Sequence, residues 1–260
     1  MKGSCLLFVD NLSTNNKHFN LHCNWSKVCL LGSFTHFISS HIFPPRCAGC
    51  GLLGETLCGR CIFKIQLPHQ THCPRCGQGG TFPHPCPCDK RNIPLTSLFS
   101  LGPTLRTVLH RTKYQNNPGL LKEILVNPGN QQIQTLAFLA QHKNALVVPV
   151  PLHQKKFLER GYNVPTLLAQ TLAGMLSLEV GNILERVVET KAQAKIQDAH
   201  QREGNLVGAF RLIVGHEKKK HVILVDDVIT SGATIEAAAK PLKKAGYGPV
   251  WGFSLAQEEW

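Results

Sequence analysis

The run Val222-Ile-Leu-Val-Asp226-Asp227-Val-Ile-Thr230-Ser231-Gly232-Ala233-Thr234 compresses a strand, a turn and a helix start into thirteen residues. Four consecutive apolar residues, three of them β-branched, read as a strand buried on both faces over Val222–Asp226. Such a strand delivers its two aspartates to the carboxyl edge of a sheet, where open α/β folds bind ligands. The hydroxyl-and-glycine turn that follows offers backbone N–H groups and a helix N-terminus to an anion, with Thr230, Ser231 and Thr234 adding donors. Two carboxylates repel a bare phosphate, so the ligand must also carry sugar hydroxyls or a bound metal. Phosphate, adjacent hydroxyls and a divalent cation together describe a sugar phosphate such as phosphoribosyl pyrophosphate. The other readings are an ordinary strand followed by a capped helix, or a Walker-B-like acidic pair. No G-x-x-x-x-G-K-[ST] run, which would mark a P-loop ATPase, occurs in the chain.

The surrounding pattern agrees with an open sheet. Strands are expected near Ser97–Leu101, at Ala145–Val150 and at Pro249–Ala256. Helical spacing places Leu105, Val108 and Leu109 on one face, and Leu120, Leu121, Ile124 and Leu125 on another. An amphipathic helix is expected at Asn163–Leu176 and a further helix at Ala233–Ala245. Strands alternating with helices imply an α/β fold: a parallel sheet with helices on both faces. With 43% hydrophobic residues the chain can bury a core, and no stretch reaches the roughly 18 apolar residues of a membrane span.

All eleven cysteines lie at or before Cys88, and eight of them form four close pairs: Cys47 with Cys50, Cys58 with Cys61, Cys73 with Cys76, and Cys86 with Cys88. Each C-x-x-C turn presents two sulfurs to one ion, and two turns complete a tetrahedral zinc site. Sequential pairing gives two four-cysteine sites; a cross-braced arrangement is the alternative. Cys86-Pro-Cys88 is one residue short, which leaves His84 as a substitute ligand. Four thiolates leave no position for water, so such zinc is structural, holding together a small module rich in Pro and Gly. Gly49-x-Gly51-x-x-Gly54 matches the dinucleotide fingerprint by letter but follows no strand and sits among the cysteines, so it is set aside.

Three segments follow: an extension at 1–43, expected to be poorly ordered or even upstream of the natural start; the cysteine module at 44–92; and the α/β domain at 93–260. Of the formal net charge of +12, +10 lies before residue 146. This basic front half suits a phosphate-bearing partner. Arg46, Arg60, Lys64, Arg75, Lys90, Arg91, Arg106, Arg111 and Lys113, with Phe63, Phe82 and Tyr114 as stacking surfaces, are the candidate contacts to single-stranded DNA. The alternatives are a charge that only keeps the chain soluble and aromatics that serve the core. Thiol pairs beside a large cysteine-free α/β pattern indicate a reducing, cytoplasmic setting.

The 222–234 run resembles the phosphoribosyl-pyrophosphate motif of type I phosphoribosyltransferases. The order of features is similar to that of the bacterial competence protein F (ComF/GntX) family, over roughly residues 44–256. It runs from the cysteine module through Val148-Pro-Val-Pro-Leu152, Arg160-Gly-Tyr-Asn163, Gln193, Arg202 and Asn205 to that motif. The resemblance implies a type I phosphoribosyltransferase-like domain behind a zinc-ribbon-like module. It also implies a role in natural transformation or DNA utilisation, with single-stranded DNA and competence proteins as partners. Carried over by position, Asp226 and Asp227 would hold ribose hydroxyls in concert with Mg2+, and Thr230, Ser231, Gly232, Ala233 and Thr234 would cradle the 5′-phosphate. Lys155, Lys156 and Arg160 would meet the leaving pyrophosphate, the alternative for the two lysines being a solvated loop. Gln193, Arg202 and Asn205 would lie on a polar loop spanning 190–205 that closes over the ligand, with Gln193 and Arg202 as catalytic candidates, the alternative being loop anchoring or surface contact. The family's usual Thr-Thr-Gly is Thr230-Ser231-Gly232 here, which keeps a hydroxyl. Two functions are compatible with this pattern: Mg2+-dependent phosphoribosyl transfer, or a non-catalytic module that senses phosphoribosyl pyrophosphate or binds single-stranded DNA.

Overall fold

The computed structural model describes residues 44–66, 93–114, 117–126, 130–188, 206, 208–213 and 221–258. The extension at 1–43, Cys73, Cys76, Cys86, Cys88, Gln193, Arg202 and Asn205 lie outside the described residues. In chain order the elements are α1 (Gly59–Ile65), β1 (Leu95–Ser100), α2 (Pro103–Tyr114), α3 (Gly119–Val126), α4 (Asn130–Ala140), β2 (Ala145–Pro149), α5 (Gln154–Arg160), α6 (Val164–Leu176), β3 (Glu179–Val180), β4 (Leu184–Arg186), β5 (Phe210–Leu212), β6 (His221–Ile229), α7 (Ala233–Lys244) and β7 (Val250–Gln257).

Five strands form one parallel sheet in the order β1-β7-β6-β2-β3. The pleat sends alternate side chains to opposite faces, and the two faces carry two separate cores. Ala145 and Val147 of β2, with Ile223 and Val225 of β6, join Leu105, Val108 and Leu109 of α2, Leu120 and Ile124 of α3, and Leu168 and Leu172 of α6. Leu146, Val148, Val222 and Leu224 face the other way, onto Ile235, Ala238, Ala239 and Leu242 of α7. The helical faces read from the sequence are therefore the buried ones, and helices cover both sides of the sheet. Among the described residues no helix is long and apolar enough to cross a membrane.

One strand runs well past the apolar pattern, and one strand pair is not expected from it. β6 continues past Asp226 to Ile229, because its ladder with β7 holds as far as Ile229 opposite Gln257. The short strands β4 and β5 pair antiparallel, Leu184 opposite Leu212 and Arg186 opposite Phe210. α6 begins where Asn163 turns its side-chain amide onto the Val150 carbonyl at 2.9 Å and the Thr166 hydroxyl at 3.0 Å. It ends at Ser177, which adopts a left-handed conformation (φ 55°) while Leu178 N–H donates to the Ala173 carbonyl.

The described half of the cysteine module is built into this scaffold. Cys47, Ala48, Leu57, Cys58, Cys61 and Ile65 share one apolar cluster with the α2 residues Leu105, Val108 and Leu109. Thr56 donates to Glu123 of α3 at 2.5 Å. A Cβ on Gly49 would come within 2.6 Å of the Cys61 sulfur and 3.1 Å of the Thr104 methyl. Only glycine lets the first C-x-x-C turn approach both α1 and α2 so closely.

Candidate functional site

Cys47, Cys50, Cys58 and Cys61 converge so that their sulfurs all lie within 4.8 Å of one another. The first two pairs therefore combine sequentially. Cys47, Cys58 and Cys61 are buried, whereas Cys50 is exposed. The Cys50 and Cys58 sulfurs are 3.6 Å apart, far longer than a disulfide and close to the ~3.8 Å edge of a tetrahedron with Zn–S of ~2.3 Å. The backbone N–H groups of Gly49 and Cys58 point at the Cys47 sulfur at 3.4 and 3.3 Å. Burial works against a thiolate there, but these donors and that of Cys50 outweigh it and bring Cys47 down to about 6. Burial and the neighbouring thiols push Cys61 the opposite way. A cation among the four sulfurs would favour the thiolate at every one of them. The donor set suits a zinc ion, and all four ligands come from the protein.

A second cluster lies at the carboxyl edge of the sheet. From β2 the chain passes to β3 on one side, and from β6 it passes to β7 on the other, so the connections diverge between β2 and β6. Such divergence opens a crevice at the strand ends, the usual ligand position of open α/β folds. Several of the expected groups follow the carboxyl ends of these two strands. Asp226 and Asp227 lie near the end of β6, and Thr230-Ser231-Gly232 leads into α7, with Gly232 left-handed (φ 79°) at the N-cap and no side chain capping the helix. Lys155 and Lys156 occupy the first turn of α5 beyond β2, and Arg160 its last.

The site also contains cations that local pattern does not reveal. Lys113, in the last turn of α2, places its ammonium 2.6 Å from Asp227 Oδ2, with the two side chains 24% and 16% exposed. Burial alone would lower the Lys113 pKa, but Asp227 and Asp226 outweigh it and raise it. Burial drives Asp226 up to about 7, and the charge of Asp227 adds to the effect. The Asp227 N–H, which donates to Asp226 Oδ1 at 2.8 Å, together with Lys113 and Arg186, acts against it. Arg186, at the end of β4, sits over the Phe210 ring at 5.4 Å. Its burial lowers its pKa and the Asp226 charge opposes that. Arg160 lies over the Tyr114 ring at 5.3 Å, close enough to Lys113 to act on its charge. Lys113 and Arg186 thus act on the two carboxylates, and Arg160 lies beside Lys113.

Helix α2 reaches both clusters. Two residues before Lys113, Arg111 donates to the carbonyl of Cys47 at 3.0 Å. Of the basic residues read as DNA contacts, Arg111 and Lys113 are therefore engaged inside the molecule. Arg106 makes an exposed pair with Glu258 at 3.2 Å.

No family model matches the chain. It is 30% identical to "Competence protein F" of Haemophilus influenzae over 229 residues, covering 81% of this chain and 90% of that protein. The chain belongs to the competence protein F family. The "DNA utilization protein YhgH" of Escherichia coli K12 is 30% identical over 218 residues, or 75% of this chain and 93% of that protein. "Competence protein ComFC" of Streptococcus pneumoniae is 23% identical over 206 residues, or 77% and 87%. Membership of the competence protein F family thus rests on nearly the full length of these relatives, and the sequence motifs agree with it.

Proposed function

We propose that this competence protein F family member serves competence or DNA utilisation, as the names of its relatives suggest. In this reading it binds phosphoribosyl pyrophosphate with Mg2+ at the Asp226–Thr234 edge, for phosphoribosyl transfer. The observation that carries the proposal is the meeting of an acidic pair with Lys113 and Arg186, with Arg160 beside Lys113, on the strand next to the β2/β6 divergence. Carboxylates accept hydrogen bonds from a sugar diol, whereas the cations and the uncapped start of α7 attract phosphate groups. A ligand carrying both satisfies every charge in the crevice. The donor set also suits a hard divalent cation, which takes oxygen ligands and is commonly shared between one or two carboxylates and a phosphate. Mg2+ would supply charge neutralisation on the pyrophosphate. The protein's own part is to orient the diol on Asp226 and Asp227 and to hold the departing anion near Lys155, Lys156 and Arg160.

Release of pyrophosphate from phosphoribosyl pyrophosphate in the presence of nucleobase and single-stranded DNA acceptors tests transfer. Saturable binding with no release would assign the site to sensing, and absence of both would reject the ligand. A second reading, contact with single-stranded DNA, is favoured by Phe63, which is 67% exposed on α1 with the exposed Arg60 and Lys64 beside it. It is tested by the salt dependence of oligonucleotide binding by wild type and Phe63→Ala.

A further inference from the structure

We infer that Lys113 is an anion-binding residue of the acidic site, resting on Asp227 while the site is free and transferring to the ligand's phosphate groups when the ligand's hydroxyls engage Asp227. The inference rests on the sugar-phosphate reading above for the identity of the ligand. Lys113 is 2.6 Å from Asp227 Oδ2, so ammonium and ligand hydroxyls compete for one carboxylate. An ammonium displaced from its partner in a crevice where it is only 24% exposed would be left poorly solvated and unpaired. The anionic part of the same ligand is the available replacement.

Lysine suits this exchange. It is a compact charge with three donors on a flexible four-carbon stem, able to move from one oxygen to another without movement of the backbone. The backbone itself is held: Arg111 ties the end of α2 to the Cys47 carbonyl, and Thr112 is fully buried with its hydroxyl on the Val108 carbonyl. The Arg160 guanidinium lies 5.3 Å from the ring centre of the neighbouring Tyr114 and acts on the charge of Lys113, so a second cation is near the moving ammonium. Neutralising Asp227 should therefore release Lys113 to any phosphate ligand, including one with no sugar.

The test uses inorganic pyrophosphate without divalent cation, titrated calorimetrically into zinc-loaded protein. Asp227→Asn should bind it at least about fivefold more tightly than wild type, the scale of one partly exposed charge pair. Asp227→Asn/Lys113→Met should lose that gain, and Asp227→Asn/Lys113→Arg should keep it. Both double variants replace the ion pair without leaving a carboxylate unpaired, so folding is not the discriminating variable; thermal melts check it. No gain in Asp227→Asn, or a gain that survives Lys113→Met, would overturn the inference. Phosphoribosyl pyrophosphate with Mg2+ is titrated into wild type in parallel. If it fails to bind while the Lys113-dependent gain is present, the sugar ligand is rejected and the anion-binding role stands.

Discussion

The cysteine cluster and the acidic pair are both contacted by α2 and are built on opposite principles. Around the cysteines, four like ligands converge to within 4.8 Å, three of them buried, in contact with the main apolar core. Nothing there leaves a coordination position for a substrate. Around Asp227, unlike charges are mixed, the paired side chains of Lys113 and Asp227 remain partly exposed, and the pair lies on the strand where the connections diverge. One arrangement is saturated by the protein itself. The other is balanced by internal ion pairs that a ligand can replace. The difference is that between a donor set suited to a structural metal and the site proposed to exchange partners, and α2 carries Arg111 to the first and Lys113 to the second.

Breaking the saturated cluster should have the largest effect. Cys58→Ser should release the ion held by Cys47, Cys50, Cys58 and Cys61, measured as one zinc fewer per chain by elemental analysis. It should also lower Tm by on the order of 10 °C, because loss of a structural metal and its buried ligands removes several kcal/mol. Retention of zinc and Tm would show that the four sulfurs are not a metal centre. Next, Leu105→Ala, in the apolar layer between the cysteine module and the sheet, should cost about 2–5 kcal/mol in urea unfolding.

Asp226 offers a smaller, pH-dependent contrast. Its carboxyl is held up near 7 in the fold and titrates near 4 when unfolded. Between those values the folded state binds the extra proton, so the stability linked to this group falls as pH rises from about 4 through about 7. Asp226→Asn should therefore match wild type near pH 4 and exceed it at pH 8 by on the order of 1–2 kcal/mol. Equal stability profiles would contradict the burial of this carboxylate. Arg106→Ala should change stability by less than about 0.5 kcal/mol, since its pair with Glu258 has both side chains well exposed.

These effects divide along what local sequence can carry. The C-x-x-C pairs, the apolar strands and the helical faces repeat at fixed spacing, and Cys47 with Cys61, Val222–Val225 and Leu105 with Leu109 were legible for that reason. Lys113 was not legible as a site residue. It sits in a basic stretch and reads as one more surface charge; its partner Asp227 is 114 positions away, and an ion pair has no period. Arg186 was missed because β4 is three residues long, too short for an alternation to register, and its approach to Asp226 depends on pairing with β5. The extra length of β6 was likewise set by β7 rather than by its own residues. The aspartates read as an end to the apolar run, but the neighbouring strand supplies hydrogen-bond partners beyond them.

The central claim, that the crevice at the end of β6 takes a phosphorylated sugar, is tested most directly by calorimetric titration of phosphoribosyl pyrophosphate with Mg2+ into zinc-loaded protein. Asp226→Asn/Asp227→Asn is the matched control. Wild type should bind saturably and the double variant should lose at least about tenfold in affinity, equivalent to about 1.4 kcal/mol. No binding by folded wild type, or equal binding by the double variant, would contradict that claim.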